Sequence, residues 1–164
     1  MNAGTPDGWI GDFVSAVYFL HPDGTLGEFK PATGSFTYRA FHAPAGAVLV
    51  GCRLRLARRP LAEIQKDIKV RLKHKKATQP LALASAGCVW KNPPGDVAGR
   101  LIEKCGLKSK RINGAEISSK HANFIVNRGG ATAADILALM DLTRERVQHQ
   151  FGVALEPEIR IVGE

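Results

Sequence analysis

The segment Ala86-Gly87-Cys88-Val89-Trp90-Lys91-Asn92-Pro93 gathers residue types that serve proton chemistry next to a bound ligand. Gly87 allows close backbone approach to a ligand. The thiol of Cys88 has an unperturbed pKa of about 8.5, so it can give up a proton near neutral pH. The ordinary reading of such a cysteine is a small buried apolar residue. Three further groups could act with it. Leu155-Glu156-Pro157-Glu158-Ile159-Arg160 brings carboxylates close to the C-terminal end, which a surface strand end explains equally well. Phe36-Thr37-Tyr38-Arg39 offers a planar guanidinium suited to a bidentate carboxylate contact, or is a surface Tyr-Arg pair. Residues 66 to 76, from Lys66 to Lys76, are dense in lysine and could meet an anion, although the solvated face of a helix explains such a run equally well.

These residues need elements to hold them. Phe13 to Leu20 reads as a strand, His21-Pro22-Asp23-Gly24 as a turn, and Thr25 to Phe29 as a returning strand. Val48, Val50, Cys52, Leu54 and Leu56 alternate with Leu49, Gly51, Arg53 and Arg55, which predicts a strand with one buried face and Cys52 in the core. Pro60 opens a helix in which Leu61, Ile64, Ile68 and Leu72 form an apolar stripe, ended by Ala77-Thr78-Gln79-Pro80. That break predicts a boundary between domains 1–77 and 78–164. Beyond it, Asp96 is placed to cap a short helix through Val97, Leu101, Ile102 and Cys105, which Gly106 ends. Ala122 to Val126 reads as a buried strand. Thr132-Ala133-Ala134-Asp135 is a capping-box variant opening a helix with Ile136, Leu139, Met140 and Val147 on one side, and Glu158 to Val162 reads as a final strand. The result is an α+β layout.

Composition narrows the class. The 164 residues suffice for one ordinary domain or two small lobes, and the net charge of +8 points to an anionic partner. No apolar run reaches the roughly 18 residues of a membrane span. The three cysteines, Cys52, Cys88 and Cys105, are an odd number without Cys-X-X-Cys spacing. They suit a reducing cytoplasm and argue against a disulfide framework or a metal site.

The thiol segment, together with Ala122-Asn123-Phe124-Ile125-Val126-Asn127 and Leu155-Glu156-Pro157-Glu158, resembles the C-terminal half of the UDP-N-acetylenolpyruvoylglucosamine reductase family. The resemblance implies the remainder of a mostly β flavin-binding domain over 1–77, followed by an α+β substrate-binding domain over 78–164. It implies an NADPH-dependent flavoenzyme of peptidoglycan precursor synthesis in the cytoplasm. FAD passes a hydride to UDP-N-acetylglucosamine enolpyruvate, giving UDP-N-acetylmuramate. Cys88 stands where the family usually has serine, in a Gly-Ser-X-Phe-Lys-Asn-Pro motif, and would be the proton donor. Trp90 stands at the family's phenylalanine and keeps an aromatic wall. Glu158 matches the family's catalytic glutamate, and Arg39 the arginine that stabilises the enolate. Thr37 and Phe41 stand where the family has glycine and serine. Lys91, Asn92, His121, Lys76, Gln79, Tyr38 and Arg160 fall at positions implied to bind substrate, with Lys75 beside them. Asn2, Ala3 and Gly4 match a flavin-domain segment.

The family's Gly-Gly-Gly-Ser-Asn loop has no counterpart here, and Gly129-Gly130 lacks the further glycines of a dinucleotide fingerprint. FAD binding by this chain alone is therefore not expected, and a flavin-binding partner region is. A second reading is a non-catalytic binding module: a substrate-binding fragment, or a basic nucleic-acid binder using Lys66 to Lys76. The latter lacks the aromatic platform of single-strand binders.

Overall fold

The computed structural model describes residues 1–5 and 7–163. Contacts divide the chain into two compact units, 1–60 and 61–164. Contacts group the long helix that precedes the anticipated 77/78 boundary with the second unit.

The first unit is mostly β. Its strands are β1 (Gly4–Thr5), β2 (Gly8–Trp9), β3 (Val14–Leu20), β4 (Leu26–Phe29), β5 (Phe36–Thr37), β6 (Ala40–Phe41) and β7 (Val48–Leu54). β1 pairs with β2, β5 with β6, and the main sheet runs β4-β3-β7, antiparallel throughout. The β3–β4 turn forms as its residues dictate: Gly24 takes φ 83°, and Asp23 accepts hydrogen bonds from the Thr25 N–H and hydroxyl. Ala16, Val17 and Phe19 are buried, and Phe36 stacks on Phe41 with centroids 4.6 Å apart.

β7 forms where the alternation places it, but its apolar face is not buried. Val48, Leu49, Val50 and Leu54 are all exposed, and Cys52 is exposed too, so the core assignment of Cys52 does not hold. Alternation tells which residues share a face. It does not tell whether anything lies over that face, and β7 is an edge strand.

The second unit holds α1 (Leu61–Thr78), β8 (Ala84–Cys88), α2 (Ala98–Lys104), β9 (Arg111–Ile112), β10 (Ala115–Ile117), β11 (Phe124–Asn127) and α3 (Ala133–Phe151). α1 starts directly after Pro60 and ends at Thr78, as the sequence predicts, yet Leu61, Ile68 and Leu72 of its stripe are at least half exposed. The remaining elements make an antiparallel sheet in the order β8-β11-β10-β9. Against it pack α2 and α3, and the core is Trp90, Leu101, Ile102, Ile117, Leu139, Met140 and Val147 with their neighbours. The capping box forms: Thr132 Oγ1 accepts from Asp135 N at 3.2 Å, and Asp135 Oδ2 accepts from Thr132 N at 2.8 Å. Gly152, at φ 69°, closes α3. The architecture is α+β. No helix among the described residues is long and apolar enough to cross a membrane.

Two local expectations change. Asp96 does not cap α2: it accepts from the adjacent Val97 N–H at 2.6 Å and pairs with Arg100, while Asn92 Oδ1 takes the Ala98 N–H at 3.1 Å. Residues 158–162 do not form a strand. The C-terminal segment makes one isolated antiparallel bridge, Trp90 to Pro157, and beyond it Ile161 and Val162 are exposed.

Candidate active site

Cys88 is the last residue of β8 and lies opposite Phe124 on β11, so it sits on a strand end instead of the loop its flanking glycine suggests. The register of this pair shifts just beyond, between Phe124 and Val126. Such bulges aim side chains and end pairing. Gly87 has φ 87°, and a Cβ there would meet nothing within 4 Å. The backbone conformation, not crowding, calls for glycine.

The next residues are fixed from two sides. On one side, Val89 N donates to the Asn123 carbonyl at 2.9 Å, and the Asn123 side chain makes two more bonds, accepting from Trp90 N at 2.9 Å and donating to the Trp90 carbonyl at 2.8 Å. On the other, Lys91 N donates to the Glu156 carbonyl and Glu158 N to the Val89 carbonyl, both at 2.8 Å. The C-terminal segment therefore runs antiparallel beside residues 89–91. It sets Glu158 against the residue next to Cys88, although the two lie far apart in sequence.

Trp90 is 1% exposed in the core, with the Arg144 guanidinium 5.3 Å from its ring, so it is not an open wall of the site. Its size and apolarity win over any site role. Lys91 forms an ion pair with Glu156, and Asn92 is tied to the start of α2. Arg160 is exposed.

The His121 ring meets the Phe124 ring at a tilt of 58° with centroids 4.9 Å apart, and its Nδ1 accepts from Asn123 N at 3.2 Å. That bond assigns the ring proton to Nε2. Burial, helped by nearby Lys108, lowers the His121 pKa from its ordinary value. Phe124 thus touches His121 and pairs with Cys88, which places the histidine near the thiol end of β8. Lys75 and Lys76 lie in the last turn of α1, and Gln79 follows with its N–H on the Lys75 carbonyl. Lys120 Nζ donates to the Lys76 carbonyl, linking the end of α1 to the loop carrying His121. Beside that link is a cleft of about 230 Å³ lined by Pro80, Leu81, Leu83, Ser118 and Lys120. Glu116 also lines it, bonded by both carboxylate oxygens to Arg128 at 2.9 and 3.0 Å.

The first unit holds Arg39 and Tyr38 as the two central residues of the β5–β6 hairpin. Arg39 takes φ 55°, a conformation that costs a non-glycine residue about 1–2 kcal/mol. Its guanidinium carbon lies 5.3 Å from the Tyr38 ring and 5.9 Å from the Trp9 ring. Asn2 is 7% exposed, and its side chain is spent on Gly11 N at 3.0 Å and the Thr37 carbonyl at 3.1 Å. Gly4 faces the Trp9 ring, and the Ala3 carbonyl accepts from Ile10 N. These residues form packed backbone turns. They do not fit a flavin diphosphate, which needs several N–H groups converging on one point.

Sequence reasoning missed Asn123 and Trp9. The signal for Asn123 was a polar residue inside the apolar run Ala122 to Val126, since a buried amide must find partners.

Residues 79–162 match the family model for the C-terminal domain of UDP-N-acetylenolpyruvoylglucosamine reductase. Among curated relatives, the reductase of Anaeromyxobacter sp. (strain Fw109-5) is 47% identical over all of this chain and 51% of its own length. That of Moorella thermoacetica is 45% identical over all of this chain and 54% of its own. The crystal structure of the Thermus caldophilus reductase matches with a TM-score of 0.83 and 42% identity, over 98% of this chain and 57% of that one. The chain spans about half the length of the curated relatives it matches. With β8, the Asn123 bracket and the C-terminal segment arranged as described, the chain belongs to the UDP-N-acetylenolpyruvoylglucosamine reductase C-terminal domain family.

Proposed function

We propose that this chain is the substrate-binding and proton-donating part of a reductase that converts UDP-N-acetylglucosamine enolpyruvate to UDP-N-acetylmuramate, a cytoplasmic step of peptidoglycan precursor synthesis. The observation that carries the reading is the 2.8 Å hydrogen bond from Glu158 N to the Val89 carbonyl, which brings the carboxylate-bearing segment beside Cys88. In the complete enzyme, FAD reduced by NADPH would supply the hydride. Asn2, Ala3 and Gly4, spent on internal packing, do not cradle a flavin diphosphate, and we assign that group to a further polypeptide region, in the same chain or another, corresponding to the half of the relatives outside this one. The uncovered apolar edge strand β7, with Val48, Leu49 and Val50 exposed, supports such a region.

On this reading, hydride adds to one carbon of the enolpyruvyl double bond. The displaced electron pair becomes an enolate of the substrate carboxylate. The family's matching positions give Glu158 the part of holding that group and Arg39 that of offsetting the growing charge. The Cys88 S–H then gives its proton to the other carbon, and the thiolate is reprotonated by solvent. A thiol is more acidic than serine's hydroxyl and so lies closer to the ideal for donation at neutral pH. Asn92, Lys91, His121, Tyr38 and Arg160 contact the sugar and carboxylate, and Lys76 with Gln79 the diphosphate.

Calorimetry on the chain tests the reading. The UDP-sugar enolpyruvate should bind, and Cys88→Ala should leave that affinity nearly unchanged while Lys76→Ala and His121→Ala weaken it. Tighter binding of oligonucleotides at physiological salt, falling steeply as salt rises, would favour nucleic-acid binding through the exposed basic face of α1 instead.

A further inference from the structure

We propose that Asn2 and Trp9 are positioning residues for Arg39: together they lock the Tyr38–Arg39 turn so that the guanidinium is held ready for a carboxylate. This deepens the proposed function and rests on it for the identity of the carboxylate.

Arg39 occupies the second central position of a two-residue hairpin with φ 55°, a place usually taken by glycine or asparagine. A strained residue persists only where its surroundings over-determine it. Two sets of contacts do so here. The first is an aromatic corner. The Trp9 and Tyr38 rings meet edge to face, 5.8 Å apart at 88°, and the Arg39 guanidinium lies over both. The two ring contacts hold the guanidinium charge in the corner between perpendicular rings, and a carboxylate is recognised by the N–H fork of the same group.

The second is a hydrogen-bonded tie. Buried Asn2, itself at φ 43°, donates from Nδ2 to the carbonyl of Thr37, the residue just before the turn. Its Oδ1 accepts from Gly11 N, beyond the strand that carries Trp9. One side chain thus fixes both walls of the corner. Gly4 completes it: a Cβ there would lie 2.5 Å from the Trp9 ring, so only glycine leaves the ring its seat. The Asn2–Gly4 segment acts, on this view, through Arg39.

The test is NMR of the Arg39 side chain in the full 164-residue chain, paired with titration of the UDP-sugar enolpyruvate. Trp9→Phe keeps an aromatic wall, and Trp9→Ala removes it. Asn2→Asp keeps the acceptor for Gly11 and loses the donor to Thr37. In wild type the Arg39 side-chain protons should be shifted upfield by the rings. Trp9→Ala and Asn2→Asp should abolish or reduce that shift and weaken substrate binding about three- to tenfold, as loss of a partly desolvated cation–π contact implies. Trp9→Phe should restore most of both. Unchanged Arg39 resonances in folded Trp9→Ala and Asn2→Asp would overturn the proposal. So would moved resonances with undiminished binding. If the wild-type chain does not bind the substrate, the functional reading fails, and the Arg39 resonances alone decide the positioning.

Discussion

Asn123→Ala should destabilise the second unit more than any other truncation of a polar side chain in it. The wild-type amide accepts from Trp90 N at 2.9 Å and donates to the Trp90 carbonyl at 2.8 Å, with Asn123 3% and Trp90 1% exposed. Alanine leaves that donor and that acceptor buried without partners. At about 1–3 kcal/mol for each abandoned group, less some relaxation, the loss is about 2–4 kcal/mol. The assay is urea unfolding followed by Trp90 fluorescence in a Trp9→Phe background, so that the second unit alone reports. With a slope of about 2 kcal/mol per M, the midpoint should fall by about 1–2 M. Asn123→Asp keeps the acceptor for Trp90 N but loses the donor, so its contact with the Trp90 carbonyl should also fail. A midpoint within about 0.3 M of wild type for Asn123→Ala, with the slope unchanged, refutes the claim that this side chain fixes residues 89–91.

Other outcomes follow from the same geometry. Gly114→Ala should cost more than Gly87→Ala in thermal melts. A Cβ at Gly114 lies 2.4 Å from backbone atoms of Gly129 and Ala131, which cannot yield, whereas at Gly87 the cost is only the φ of 87°, about 1–2 kcal/mol. His121 gives a pH dependence. Its folded pKa is lowered, mainly by burial, so the unfolded chain binds more protons just below the ordinary value of about 6.5. Stability contributed by the neutral ring is full above that value and is lost as pH falls toward the lowered folded pKa. Melting temperature should therefore drop between about pH 7.5 and 5.5, and His121→Gln should flatten the drop.

Much of the fold was legible because local signals agreed with the final packing. The β3–β4 turn, Pro60 before α1, the Thr132–Asp135 box and the Leu139–Met140–Val147 stripe each depend on neighbours in sequence. The failures have two causes. Whether the face of β7 or α1 is covered depends on residues distant in sequence or on other polypeptide, whereas at the α2 terminus two nearby polar side chains compete and Asn92, not Asp96, takes the Ala98 N–H. The short strands β9 and β10 carried no alternation long enough to read. The site behaved likewise. Cys88 and Glu158 were visible as chemistry-bearing types, but the backbone bond that joins their segments was not, and neither was Trp90's loss to the core. Trp9 gave no sign of its contact with Arg39, which exists only once the β5–β6 turn folds back.

The most direct test of the central claim uses this chain completed by the upstream half of the Anaeromyxobacter relative. Rapid mixing should follow separately the reduction of the complex by NADPH and its reoxidation by the enolpyruvyl substrate. Cys88→Ala should leave reduction nearly intact and slow reoxidation by about two to four orders of magnitude, the usual worth of a positioned acid, while Cys88→Ser retains much of the rate. Normal reoxidation in Cys88→Ala would contradict the account and return Cys88 to the role of a packing residue.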